Sequence, residues 1–200
     1  MSVTKPAVVL VNLGTPDAPT TAAVRRYLKQ FLSDPRVVEA PRLIWFWVLR
    51  LIILPLRPRR VAKLYASIWQ QDSPIRLVAQ QQAEALAGRF DCTVRYAMSY
   101  GSPGFEAVLD ELADQGHDHL LILPLYPQYS GSTNGAVADA LARWVRTRRE
   151  VPGLTLVKDY WQNPAWLDAV ADSIRRFREQ HGEAEKLLFS FHGIPVSYQD

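Results

Sequence analysis

The chain has a single cysteine, Cys92, in 200 residues. That excludes an internal disulfide framework and any metal site built from clustered cysteines, and it suits a reducing compartment. Neither G-x-G-x-x-G nor G-x-x-x-x-G-K-[ST] occurs, so the dinucleotide fingerprint and the P-loop are both missing. G-x-S-x-G is absent as well, which removes the nucleophile elbow of an α/β-hydrolase. The apolar stretch from Leu43 to Leu56 is too short for the ~20 residues that span a bilayer, and Arg50 interrupts it. The N-terminal "MSVTKPAVVLVNLG" lacks a signal-peptide layout. Its apolar run is short, rich in Val and broken by Asn12 and Gly14, so it reads as a strand. Neither sign of charge dominates: 23 Lys and Arg against 20 Asp and Glu leave a net charge of +3. So mild a balance does not point to nucleic acid.

What is present is enough for a real core, since 48% of the residues are apolar. The length fits one domain, or at most two small ones. Residues 7–13, "AVVLVNL", form a β-branched run closed by Gly14 and Pro16. The next segment, 20–34, has helical spacing at Val24, Leu28, Phe31 and Leu32 behind a Thr cap. Two helices are expected across 57–69 and 73–89, split at Asp72-Ser73-Pro74. Strands are expected at 92–100, 119–127, 154–160 and 186–191, with helices between them at 105–116, 136–149 and 165–181. Near-continuous apolar strands alternating with helices predict an α/β fold, a doubly wound parallel sheet covered on both faces.

In such sheets ligands bind beyond the carboxyl ends of the strands. That edge collects Asn12-Leu13-Gly14-Thr15, Ser99-Tyr100-Gly101, Tyr126-Pro127-Gln128-Tyr129, Asp159-Tyr160 and Ser190-Phe191-His192-Gly193. A mouth rich in tyrosine, with one histidine, suits a large, flat, mostly apolar ligand with a few polar handles. The loop "SGSTNG" (130–135) opens a helix. Either its N–H groups and hydroxyls hold a carboxylate or phosphate, or it is a plain N-cap using Ser132, Thr133 or Asn134.

The segment "PRLIWFWVLRLIILPLRPRR" (41–60) is a buried core helix, a hairpin lid, or an apolar lip resting on a membrane. Arg50 in its midst favours the lip. Trp45 and Trp47 suit the interface, and Arg57, Arg59 and Arg60 suit anionic headgroups.

Six motifs then stand in order along nearly the whole chain: "LVNLGTPDAP" (10–19), "RRYLKQFLSD" (25–34), "VAKLYASIW" (61–69), "MSYGSP" (98–103), "LPLYPQYS" (123–130) and "SFHGIP" (190–195). Together they resemble the ferrochelatases, in particular the Gram-negative bacterial branch. The resemblance implies insertion of Fe²⁺ into protoporphyrin IX to form haem, the last step of haem synthesis. His192 matches the family's active-site histidine, facing the porphyrin centre and assigned to Fe²⁺ binding or pyrrole proton abstraction. Leu13 matches a position against the opposite porphyrin face. Arg57, Tyr65 and Ser73 match positions near the porphyrin rim and its carboxylates, and Tyr126 a pocket tyrosine. Ser130, Ser132 and Thr133 join the substrate-binding set through the loop they form.

The resemblance further implies a Rossmann-like domain that is the first of two similar halves, here residues 1–200, with 41–60 as the active-site lip. The second half, which supplies the carboxylate opposite the histidine, is expected to be absent from this chain. A non-catalytic porphyrin-binding half-domain is therefore the alternative reading. An apolar face left uncovered would favour self-association. Iron enters as substrate, no permanently bound cofactor is implied, and Gly131 stands where some members carry a cluster-ligating cysteine, so no iron–sulfur cluster is expected. Asp72 departs from the Gly of the family pattern before Ser-Pro. The implied location is cytoplasmic, peripheral on the inner membrane.

Overall fold

The computed structural model describes residues 5–193. The first β-branched run forms β1, Pro6–Thr15. It pairs in parallel with β2, Thr93–Gly101, on one side and with β3, His119–Pro124, on the other. Beyond β3 lies the short β4, Gly153–Leu156. The sheet order is β2-β1-β3-β4, as a doubly wound sheet requires. Side chains alternate along β1. Ala7, Val9 and Val11 enter one core with α5 (Phe105–Asp114) and α6 (Ala136–Thr147). Val8 and Leu10 face a second cluster with Ala83 and Leu86 of α4 (Pro74–Ala87). Both faces are thus covered, which is why the strands carry apolar residues at consecutive positions.

The long connection between β1 and β2 carries α1 (Thr21–Ser33), α2 (Arg42–Val48), α3 (Leu54–Ile68) and α4. The Thr20 hydroxyl accepts from the Ala23 N–H at 3.3 Å, so the expected Thr cap opens α1. A π-helical turn, Leu49–Ile53, joins α2 to α3. Residues 42–68 are therefore one long helical run rather than a hairpin, with Pro58 tolerated inside α3. Leu43, Ile44, Trp47, Leu51, Ile52 and Leu56 are exposed along it, so the stretch is not a core helix. Trp45 differs from its neighbours: its indole N–H donates to the Leu32 carbonyl at 2.6 Å and the ring turns inward.

The expected strand over 186–191 is not formed. Leu187, Leu188, Phe189 and Phe191 are exposed, and no ladder joins them to the sheet. A strand exists only against a neighbouring edge, and an apolar run cannot announce from sequence where its edge will be. The preceding helix α7, Pro164–His181, has no buried residue and does not lead the chain back onto the sheet. Its Leu167 and Phe177, with the 187–191 run, leave apolar surface uncovered.

Candidate active site

The chain runs from β1 to β2 on one side of the sheet and then to β3 on the other, so β1 and β3 diverge at their carboxyl ends. Such a switch point is where open α/β sheets bind ligands. Half-buried Leu13 sits there on β1, and Tyr126 follows β3 two residues after Pro124. The floor between β1 and β2 is set by two glycines at positive φ, Gly14 at 114° and Gly101 at 94°. A Cβ on Gly14 would come within 1.7 Å of the Tyr100 carbonyl oxygen, so the two strand ends meet backbone to backbone.

An aromatic wall stands behind this floor. Tyr27 stacks on Phe31 at 5.9 Å, and Phe31 meets Tyr100 edge-on at 5.1 Å. Tyr65 of α3 meets Tyr27 edge-on at 6.3 Å, and Trp69 extends the series. The Tyr27 hydroxyl donates to the Gly14 carbonyl at 3.4 Å and that of Tyr100 to the Asp34 carboxylate at 2.8 Å. The Tyr126 hydroxyl is buried without a hydrogen-bond partner. Burial raises the phenol pKa of Tyr126, with Ser99 opposing slightly. Burial does the same for Tyr27, helped by Tyr65, and for Tyr100, helped by the Asp34 carboxylate. These phenols stay neutral donors across the working pH range.

Sequence reasoning missed two residues here and misread a third, named only as a possible N-cap. Gln30 Oε1 accepts from the Gly101 N–H at 2.9 Å, and Asp34 anchors Tyr100. Tyr27, Gln30 and Asp34 are spaced at i, i+3 and i+7 on one face of "RRYLKQFLSD", which was the available signal. Asn134 is the third. Buried, it donates from Nδ2 to the Lys158 carbonyl at 2.8 Å and to the Tyr126 carbonyl at 3.5 Å, fastening the ends of β3 and β4 together.

The predicted site residues divide. Ser73 is buried and its hydroxyl accepts from Thr15 at 2.8 Å. Tyr65 belongs to the aromatic wall, whereas Arg57 is exposed on α3. Ser130, Ser132 and Thr133 form one cluster: the two serine hydroxyls lie 3.1 Å apart, and the Thr133 hydroxyl donates to the Asn134 side-chain oxygen at 2.9 Å. The plain N-cap reading of this loop is corrected. Residues Gly131–Gly135 are themselves a π-helical turn leading into α6, with Ser130 at the cap position and no side-chain capping bond. The turn is satisfied instead by Thr133 and Gly135 N–H groups donating to the Ser130 carbonyl at 3.2 and 3.1 Å.

His192 is not brought to the mouth by a fifth strand. It is exposed, and its Nδ1 lies 2.6 Å from the Gly193 carbonyl. A carbonyl can only accept, so Nδ1 is the donor in this contact, and in the neutral form of the ring the lone pair is on Nε2. Among the described residues no group of three or more His, Cys, Asp or Glu is placed to hold a metal ion. Cys92 lies at the opposite edge of the sheet, just before β2, lining a cavity of about 500 Å³ with His117.

Sheet order, glycine floor and aromatic wall define a doubly wound α/β protein with an open, tyrosine-lined mouth at its switch point. The ferrochelatase family model matches residues 5–200, and the chain belongs to the ferrochelatase family. It is 55% identical to a ferrochelatase of Psychrobacter sp. (strain PRwf-1) over 97% of this chain and 59% of that protein. Against a ferrochelatase of Acinetobacter baumannii (strain ACICU) the identity is 51%, over 98% and 60%. Against that of Escherichia coli O139:H28 (strain E24377A / ETEC) it is 53%, over 100% and 63%. The chain thus spans about three fifths of the length of the curated relatives it matches.

Proposed function

We propose that the protein inserts ferrous iron into protoporphyrin IX to form haem, the last step of haem synthesis. The observation that carries this is the family match along residues 5–200, which takes in the glycine floor, the aromatic wall and His192. Insertion exchanges the two pyrrole N–H protons for Fe²⁺. An acceptor near neutral pH is needed, and an imidazole is the side chain suited to it. His192 offers its Nε2 lone pair either to a pyrrole proton or to Fe²⁺. Leu13 and the aromatic wall give the macrocycle apolar faces to rest on. Arg57 and the Ser130 and Ser132 hydroxyls offer donors to its carboxylates, Thr133 holds the loop in place through Asn134, and Tyr65, Ser73 and Tyr126 complete the pocket side. Iron is cargo in this reading, and neither a resident cofactor nor an iron–sulfur cluster is invoked.

The reading is tested by mixing the chain with protoporphyrin IX and Zn²⁺, an air-stable stand-in for Fe²⁺, and following the visible bands. Repeated turnover above the protein-free rate is the expected result. No turnover, with no porphyrin bound, overturns the reading.

The same proposal places the protein in the cytoplasm, on the inner face of the membrane, through residues 41–60. No helix of the described residues is long and apolar enough to cross a membrane. From Arg42 to Lys63 the run carries Arg50, Arg57, Arg59 and Arg60 and no acidic residue, while its exposed apolar side chains lie on the same helix. That pairing suits an interfacial helix on anionic lipid. Trp47→Ser with Leu51→Ser is expected to lower binding to vesicles containing phosphatidylserine by about 10-fold or more. Equal binding by the variant and the native chain would remove the lip from the proposal. Self-association through α7 and 187–191 belongs to the same reading, and a sedimentation coefficient independent of concentration would dismiss it.

A further inference from the structure

The β1–β2 ladder stops at the pair Thr15 and Gly101. The next residues, Pro16 and Ser102, begin the loops that frame the mouth, and their carbonyls lie beyond the reach of strand pairing. One side chain takes over at that point. Arg76, in the first turn of α4, donates from Nε to the Ser102 carbonyl at 3.0 Å and from Nη2 to the Pro16 carbonyl at 3.1 Å. Its Nη1 donates to both oxygens of Asp72, at 2.6 and 2.8 Å. Asp72 in turn accepts from the Ser73 N–H at 2.6 Å. Beneath this lies the buried bond from Thr15 to Ser73.

The chemistry of the pair fits the task. A guanidinium presents its donors in a rigid planar fork, and a carboxylate on one arm orients the others. A lysine has one point of charge and cannot hold two carbonyls and a carboxylate in fixed directions. The Arg76 side chain is only 13% exposed, so the fork is shielded from competing water. Burial pushes the Asp72 pKa up, but the hydrogen bonds from Arg76 and from the Ser73 N–H, with the Arg76 charge, outweigh it and hold the group below its ordinary value. Asp72 is therefore ionised wherever the protein works, and the fork stays oriented.

We propose that Asp72 and Arg76 are a positioning pair that locks the loops after β1 and β2 to the start of α4, and so sets Leu13 and Tyr100 at the mouth. Neither residue touches the ligand in this account. The part concerning the ligand rests on the proposed porphyrin chemistry; the locking of the loops does not.

The test uses the 200-residue chain with Arg76→Lys and the milder Asp72→Asn. Amide hydrogen exchange is read first, without ligand. Residues 13–18 and 100–104 are expected to exchange about 10-fold faster in Arg76→Lys and less so in Asp72→Asn, with β3 and α5 unchanged. Protoporphyrin IX binding, read by fluorescence quenching, is expected to weaken about 10-fold in Arg76→Lys. The double variant should bind no worse than Arg76→Lys alone, because the pair acts as a unit. Native exchange in both loops would overturn the proposal. So would acceleration spread equally through β3 and α5, which marks general loss of stability, or loosened loops with native porphyrin affinity. A native chain that quenches no porphyrin counts against the proposed substrate, and exchange alone then decides the lock.

Discussion

His192→Ala is expected to lower metal insertion by at least about 100-fold, the scale lost with a positioned acid–base group, while porphyrin affinity stays within a factor of about three. The split follows from where the ring's nitrogens stand. Nδ1 is committed to the Gly193 carbonyl, which leaves Nε2 as the one lone pair the imidazole can offer to a pyrrole proton or to Fe²⁺. Removing it takes away a chemical step and leaves Leu13, Tyr65 and the aromatic wall as they were. Zn²⁺ insertion into protoporphyrin IX, followed by the visible bands, reads the rate, and fluorescence quenching reads the affinity. Native turnover in the alanine variant would remove His192 from the chemistry altogether.

Gly14→Ala is expected to cost about 3 kcal/mol or more, a large share of the ~5–15 kcal/mol that holds a domain folded. Two effects combine. A φ of 114° is outside the range that side chains accept readily, which alone costs about 1–3 kcal/mol. The added Cβ would also sit 1.7 Å from the Tyr100 carbonyl oxygen, so β1 and β2 must part at the mouth. Gly116 supplies the control. Its φ is 80° but nothing lies within 4 Å of a Cβ built there, so Gly116→Ala should cost only the backbone penalty of about 1–2 kcal/mol. Urea unfolding of both variants gives the comparison. Equal costs would mean that the strand ends do not meet as closely as the glycine floor requires.

The same two glycines show how much of the site could be read early. "NLGT" and "SYGS" mark Gly14 and Gly101 as strand stops, and their place at the ligand edge follows from the alternation of strands and helices. Their contact with each other does not, because 87 positions of chain separate them and the register that joins Gly14 to Tyr100 is set by the whole ladder. Tyr65, Tyr126 and Ser73 were legible as candidates. That Ser73 bonds to Thr15, and that the Tyr126 hydroxyl is buried without a partner, depends on which helices lie over which strand end. Trp45 and Trp47 look alike in sequence, yet one bonds inward to Leu32 and the other faces out.

Local pattern determined the class of fold, because apolar runs and helical spacing dictate local structure. It determined four of the five expected strands, the Thr20 cap and the tyrosine-rich edge. Long-range packing set the order β2-β1-β3-β4, the helical rather than hairpin form of 42–68, the grip of Arg76 on Pro16 and Ser102, the fastening of Asn134, and the failure of 186–191 to join the sheet. The physical reason is the same in each case. Strand edges, carbonyls and buried amides must find partners far away along the chain, and which partner is reached depends on packing that no local pattern contains.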